Sequence, residues 1–128
     1  MKLCNIHHMA IICSDYEVSK HFYVDILGLS VLNEVYRSEQ QSYKLDLALH
    51  EEYVIELFSF LHPPKRLSYP EATGLRHLAF AVENIEEAVK ELNEKGIETE
   101  EIRIDSITEK KFVFFHDPDE LPLELYEV

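Results

Sequence analysis

Nowhere does this 128-residue sequence run apolar for anything near the roughly 18 to 20 residues a membrane helix requires, so no helical span is expected. Its opening segment, MKLCNIHHMA, holds one lysine and no apolar stretch of leader length, which points to the cytoplasm rather than export. Positive charge is scarce. Twelve Lys and Arg stand against 25 Asp and Glu, a net charge of −13 with a pI near 4.8. Such a chain repels phosphate backbones and anionic lipid, so neither nucleic acid nor a membrane is expected as a partner. Cysteine is nearly absent too. Cys4 and Cys13 form no CxxC pair, which excludes a zinc knuckle, and both are expected to be reduced, half-buried apolar residues. No charge partner stands nearby in the sequence to lower either thiol's pKa, so no thiol chemistry is assigned.

What remains is an ordinary globular composition, 46% hydrophobic and 29% charged, on a chain long enough for one domain with a real core. Its most informative feature is internal duplication. Laid over RHLAFAVENIEEAVKELNEKGI, the segment HHMAIICSDYEVSKHFYVDILGL places His8 on His77, Ala10 on Ala79 and Asp15 on Asn84, each offset by 69. After one slipped residue, Gly28 falls on Gly96 and Glu56 on Glu124, both offset by 68.

Each half has the same local grammar. An apolar run, Ile6 to Cys13 or His77 to Val82, predicts a strand, and Asp15 or Asn84 supplies a helix N-cap. Val18, Phe22, Tyr23 and Ile26, then Ile85, Ala88, Val89 and Leu92, recur at helical spacing, with Gly28 and Gly96 where the helix should end. Strands are expected at 30–35, 43–49 and 53–60 in the first half, and at 98–104, 111–115 and 121–126 in the second. The reading is one α+β domain, 1–128, built from two βαβββ modules, 4–61 and 75–128. They are joined by an extended, helix-free linker at 62–74 that carries three of the five prolines.

Strand residues alternate between faces, so parity separates packing residues from the rest. Ile55 and Leu57 oppose Glu56 and Phe58; Leu123 and Leu125 oppose Glu124 and Tyr126. His8 shares its face with Ala10 and Ile12, and His77 with Ala79 and Ala81. A His or a Glu therefore stands on the non-packing face of two strands in each half, beside small alanines that leave room for a ligand. A carboxylate withdrawn from water needs compensation, and a divalent metal shared by His8, Glu56, His77 and Glu124 would supply it. Phe58, Phe60 and Tyr126 become candidate cleft walls. Among the other histidines, parity puts His7 on the packed face. His21 falls on a polar helix flank, His50 and His62 in turns, and His116 in a turn ahead of the last strand.

These segments resemble the vicinal-oxygen-chelate superfamily, the glyoxalase I-like metalloenzymes. HHMAIICSDYEVSKHFYVDILGL resembles its opening strand–helix signature; YVIELFSF, LRHLAFAVENI and HDPDELPLELYEV resemble its three other ligand-bearing segments. The resemblance spans nearly the whole chain outside the linker. It implies a curved mixed sheet around a metal cleft, a homodimer, and metal ligands at His8, Glu56, His77 and Glu124. Within the superfamily the chain resembles lactoylglutathione lyase. That implies a lyase or isomerase acting on an α-carbonyl, hemithioacetal-like substrate through a metal-bound enediolate, with Glu124 as principal base and Glu56 its counterpart. Zinc is the first expectation, with nickel, cobalt and manganese equally suited to these donors.

The departures bear on the thiol. Glutathione-using members carry an Arg four residues after the first ligand and an Asn four after the second, where this chain has Ile12 and Phe60. Its net acidity weighs further against an anionic substrate. The family turn DPDG also becomes DPDE here, which sets Glu120 at a position suited to a left-handed residue. The alternative readings are a metal-dependent epimerase and a metal-free drug-binding module of the same fold. Extradiol dioxygenase and thiol transfer to an epoxide use two His and one carboxylate, and the additional Glu56 counts against them.

Overall fold

A computed structural model describes all of residues 1–128 and divides them into two compact units, Met1–Pro64 and Lys65–Val128. The fold is α+β: each unit holds one four-stranded mixed sheet and one helical segment. The first contains β1 (Met9–Cys13), α1 (Tyr16–Lys20), β2 (Ser30–Arg37), β3 (Ser42–Leu49) and β4 (Glu52–Ser59), in sheet order β1-β4-β3-β2. The second contains β5 (Leu78–Val82), α2 (Ile85–Glu94), β6 (Arg103–Ile104), β7 (Lys111–His116) and β8 (Pro122–Glu127), in sheet order β5-β8-β7-β6. In both, the first strand runs parallel to the last and the remaining pairs are antiparallel. No helix is long and apolar enough to cross a membrane.

Alternation decides which face is core. Ile11, Cys13, Leu45, Leu47, Ile55 and Leu57 are buried on one side of the first sheet, where α1 packs against β4. In the second unit Val113, Phe115, Leu123 and Leu125 are buried and α2 packs on β7 and β8, contributing Ile85 and Leu92. Both helical segments start on the expected side chains. Asp15 Oδ1 accepts from the Val18 amide at 3.2 Å and Asn84 Oδ1 from the Glu87 amide at 3.0 Å, each satisfying one otherwise orphaned donor.

The slipped residue of the duplication has a structural cause. Asp15 to Gly28 is one residue longer than Asn84 to Gly96, and the first helix absorbs it by turning π-helical over His21–Ile26. There the Leu27 amide reaches back to the Phe22 carbonyl at 2.9 Å, a wider turn that houses an inserted residue without breaking the helix. Both segments then end on a glycine at φ +82, Gly28 and Gly96.

Several expectations are corrected. The first strand begins at Met9, not Ile6: the ladder opens with Met9 opposite Ile55, and upstream Leu3 and Ile6 are exposed with nothing to bury them. The strand expected at 98–104 shrinks to Arg103–Ile104, although the Glu100 amide still bonds the Phe114 carbonyl at 2.8 Å. This is an acid-rich edge (Glu98, Glu100, Glu101), and glutamate is a poor strand former where no neighbour packs on it. His116 closes β7 instead of lying in a turn. Cys4 is exposed and Cys13 buried, neither in a disulfide, so neither is half-buried. The 62–74 segment is helix-free but turns at 68–71, with a cis bond between Tyr69 and Pro70.

Glu120 does adopt the left-handed backbone, at φ +66. The turn around it is held by buried Asp117, whose Oδ1 accepts from the amides of Asp119 at 2.8 Å and Leu121 at 2.9 Å. A non-glycine residue there costs roughly 1–2 kcal/mol, partly offset by the extra unfolded-state freedom a glycine would bring, roughly 0.5–1 kcal/mol. Glu120→Gly should therefore stabilise the protein by about 0.5–1 kcal/mol in urea unfolding. A loss of stability would show that the Glu120 side chain contributes more than its backbone costs.

Candidate metal centre

The register of each parallel pair sets a carboxylate opposite an alanine. Ala10 faces Glu56 across β1 and β4, and Ala79 faces Glu124 across β5 and β8. One turn of the alternation upstream, His8 and His77 sit just ahead of their strands on the same face. His8 Nε2 lies 3.8 Å from Glu56 Oε2 and His77 Nε2 lies 3.0 Å from Glu124 Oε2. The four side chains are 33%, 15%, 27% and 12% exposed in that order, sheltered enough to weaken solvent competition and open enough to admit an ion. Each unit thus brings together one imidazole and one carboxylate. Neither gathers three or more His, Cys, Asp or Glu side chains into a ligating group. The donor chemistry, imidazole nitrogen with carboxylate oxygen, fits a divalent cation of the zinc, nickel, cobalt or manganese type.

Around Glu56 the first unit builds a network that strand pairing reveals. Asp46 is the β3 partner of Glu56, and Lys44 the partner of Phe58. Lys44 Nζ donates to Asp46 Oδ1 at 2.7 Å and stands 3.3 Å from Glu56 Oε2. Tyr53 Oη lies 2.7 Å from Glu56 Oε2 and 3.1 Å from Asp46 Oδ1, and its ring stacks on His8 with centroids 5.0 Å apart. Burial tends to raise the Glu56 pKa, but the Tyr53 and Lys44 hydrogen bonds and the Lys44 charge outweigh it, so the carboxyl is held below its ordinary value. Burial first, then the Glu56 and Asp46 carboxylates, push the Tyr53 phenol well up, and it stays neutral.

Glu124 is held differently. His77 is its polar partner at 3.0 Å, and the β7 residue opposite it is Phe114, where the first unit has Asp46. The His77 ring meets Phe114 edge-on at 5.1 Å, and Arg76 Nη1 lies 3.0 Å from His77 Nδ1. Because arginine only donates, Nδ1 accepts and Nε2 is the nitrogen directed to Glu124.

His7 departs from expectation. Being just outside the ladder, it is exposed rather than packed, with Nδ1 2.8 Å from His8 Nδ1 and its ring edge-on to Tyr53 at 5.3 Å. Of the expected cleft walls, Phe58 and Phe60 stack at 6.0 Å with the Arg37 guanidinium 4.8 Å from the Phe58 centroid and 5.9 Å from that of Phe60. A cation from β2 therefore reaches both aromatic side chains. Tyr126 instead turns its hydroxyl to Asp105 at 3.1 Å and to Thr108.

Comparison with known proteins agrees on the scaffold. The family model for the Glyoxalase/Bleomycin resistance protein/Dioxygenase superfamily matches residues 5–125. Protein YwkD of Bacillus subtilis (strain 168) is 65% identical over 127 residues, 99% of either chain. The metallothiol transferase FosB of Staphylococcus saprophyticus is 32% identical, over 95% of this chain and 76% of its own. A crystal structure of a glyoxalase family protein from Enterococcus faecalis, 55% identical, superposes with a TM-score of 0.90 over 96% of this chain and 97% of its own.

The network around Glu56 makes a signed prediction for metal-free protein. A carboxyl whose folded pKa is depressed adds stability above its unfolded value and loses it as pH falls through the folded pKa. In Lys44→Met and Tyr53→Phe the Glu56 carboxyl should titrate higher, as read by carbon NMR of the side chain. The stability gap between wild type and Lys44→Met should be widest near neutrality and close as pH drops below about 4.3. An unchanged Glu56 titration in both variants contradicts this account.

Proposed function

The chain belongs to the Glyoxalase/Bleomycin resistance protein/Dioxygenase superfamily, and from that membership we propose a divalent-metal lyase or isomerase of glyoxalase type. In this reading His8, Glu56, His77 and Glu124 ligate one cation, the two half-sites meeting within a chain or across a homodimer. The observation that carries it is the repetition of one geometry, a His beside a Glu that faces an alanine, at equivalent register in both units. Chance has no reason to build it twice. Zinc is the first choice of metal, the substrate a small α-carbonyl compound of the hemithioacetal kind, and the place of work the cytoplasm.

A cation held by these four groups would supply electrostatic stabilisation to charge developing on two vicinal substrate oxygens. The chain's own residues divide the proton work unequally. Glu56 is tied by Tyr53 and Lys44 and held in its ionised form, which suits a fixed ligand and makes a weak base. Glu124 is engaged by His77 alone. It is the carboxylate placed to take a proton from one carbon and return it to the next. The alanines at positions 10 and 79 leave the space above the two carboxylates clear for substrate.

The similarity to a relative named a metallothiol transferase favours a second reading, metal-dependent thiol transfer. It would use two His and one carboxylate, leaving Glu56 without a ligating role, and needs a thiol to be consumed into the product rather than recovered.

Metal analysis of purified protein should find near-stoichiometric divalent metal, lost in His8→Ala and in His77→Ala. With metal restored, wild type should turn over methylglyoxal in the presence of at least one low-molecular-weight thiol. Glu124→Gln should lower kcat by about 10²-fold or more, and Glu56→Gln should reduce metal affinity more than it reduces turnover at saturating metal. Metal-loaded protein that is silent with every thiol sinks the lyase; consumption of the thiol with an electrophile moves the assignment to transfer.

A further inference from the structure

The second unit holds a cavity of about 200 Å³ that the proposed chemistry leaves unused. Two arginines from different elements, Arg76 and Arg103, line it with Phe114, Tyr69 and His116, and with the carboxylates Glu71 and Glu100. Arg76 comes from the segment ahead of β5 and Arg103 from β6, yet both guanidiniums come near one ring, 5.7 and 5.5 Å from the Phe114 centroid, with Arg103 nearer still to Phe112 at 4.9 Å. Tyr69 Oη lies 3.4 Å from His116 Nε2.

We propose that Arg76 and Arg103 form a binding site for the oxyanion of a small acid, a carboxylate or phosphoryl group. A guanidinium offers five donors in a planar fork suited to such groups, and here most of them are unspent. Arg76 makes one contact with His77 at 3.0 Å and a loose one with Glu71 at 3.8 Å; Arg103 makes one with Glu100 at 3.4 Å. Glu71 and Glu100 are 55% and 49% exposed, and ion pairs of that kind contribute little and yield readily to a better partner. Phe114 offers both guanidiniums a cation–π attraction, and Phe112 a further one to Arg103, which favours keeping them at the cavity. An aromatic ring with two cations and a tyrosine is the pattern of a site for a small polar molecule rather than for a macromolecule.

The site is specific to this half. At the offset of 68, Arg103 corresponds to Val35 and Phe114 to Asp46, so the duplicated scaffold of the first unit builds nothing like it. Its position gives it a purpose. Phe114 touches His77 and is the register partner of Glu124, so an acid held between the arginines lies one side chain away from that pair. As an anion site the cavity stands alone. As the seat of a charged substrate end it rests on the lyase reading above.

The test uses the full-length protein after chelation of metal, so that an ion bound to the cation cannot contribute. Amide NMR titrations with inorganic phosphate and, separately, with acetate separate the two sources of oxyanion. At least one should give saturable shifts confined to residues 68–76, Arg103 and 114–116. Arg76→Gln and Arg103→Gln should each weaken that binding by about tenfold, as expected for a lost charge-assisted bond, while Lys110→Gln leaves it unchanged. Amide spectra of the variants report directly that they are folded. Absence of saturable binding by both anions, or equal binding in both arginine variants, overturns the proposal. Anion binding that survives while metal-loaded enzyme is inactive with every thiol strikes the lyase reading and leaves the site in place.

Discussion

The parallel pairing of the first strand of each unit with its last is the constraint on which both half-sites depend. Glu56 and Glu124 stand on the open face because Ile55 and Leu57, and Leu123 and Leu125, are committed to the core on the other. A one-residue slip would exchange the faces. It would expose two aliphatic side chains per strand, at roughly 1.5–3 kcal/mol each, and drive a carboxylate into the core at several kcal/mol more. That sum rivals the whole stability of an ordinary domain, about 5–15 kcal/mol. Core packing, not the site's own chemistry, therefore holds each carboxylate where a histidine can reach it.

Given a fixed scaffold, the residues opposite the carboxylates are free to differ, and they do. In the first unit β3 places Lys44 and Asp46 across from β4, while in the second β7 places Phe112 and Phe114 across from β8. One carboxylate sits in a charged, hydrogen-bonded frame and the other beside an aromatic ring. On the proposed function, this asymmetry would separate a fixed ligand from a mobile base in a protein whose halves otherwise repeat. Register decides which side chains meet, with a shift between Leu47 and Ala48 in β3–β4 that β7–β8 does not have.

Parity and repetition made the strands, the N-caps, the core faces and the four candidate ligands legible in the sequence, because each follows from a period of two or from side chains a few residues apart. The π-helical turn at His21–Ile26 left a trace too, as the slipped residue between the two offsets, but an offset names no geometry. The short β6 escaped because strand length at an edge depends on what packs against it. His7 was assigned to the core by extending an alternation past Met9, where the ladder begins. Lys44 and Tyr53 were hidden for a different reason. Their partners lie 12 and 3 residues from them along the chain in Glu56, and meet it only through the β3–β4 register with its bulge near Ala48.

The proposed arginine site bears on one inference drawn from composition. A net charge of −13 suggests a molecule hostile to anions, yet net charge acts at long range and is screened within about 8 Å at physiological ionic strength. Contact chemistry does not average over the surface in that way. Two guanidiniums converging on Phe114 set the potential inside their own cavity, and the carboxylates nearest them, Glu71 and Glu100, are half exposed and loosely held. The acidic surface then slows the approach of an anion without deciding whether it stays. Residence depends on the fork geometry of Arg76 and Arg103, and so on the short β6 strand and the turn before β5 that deliver them to the same ring.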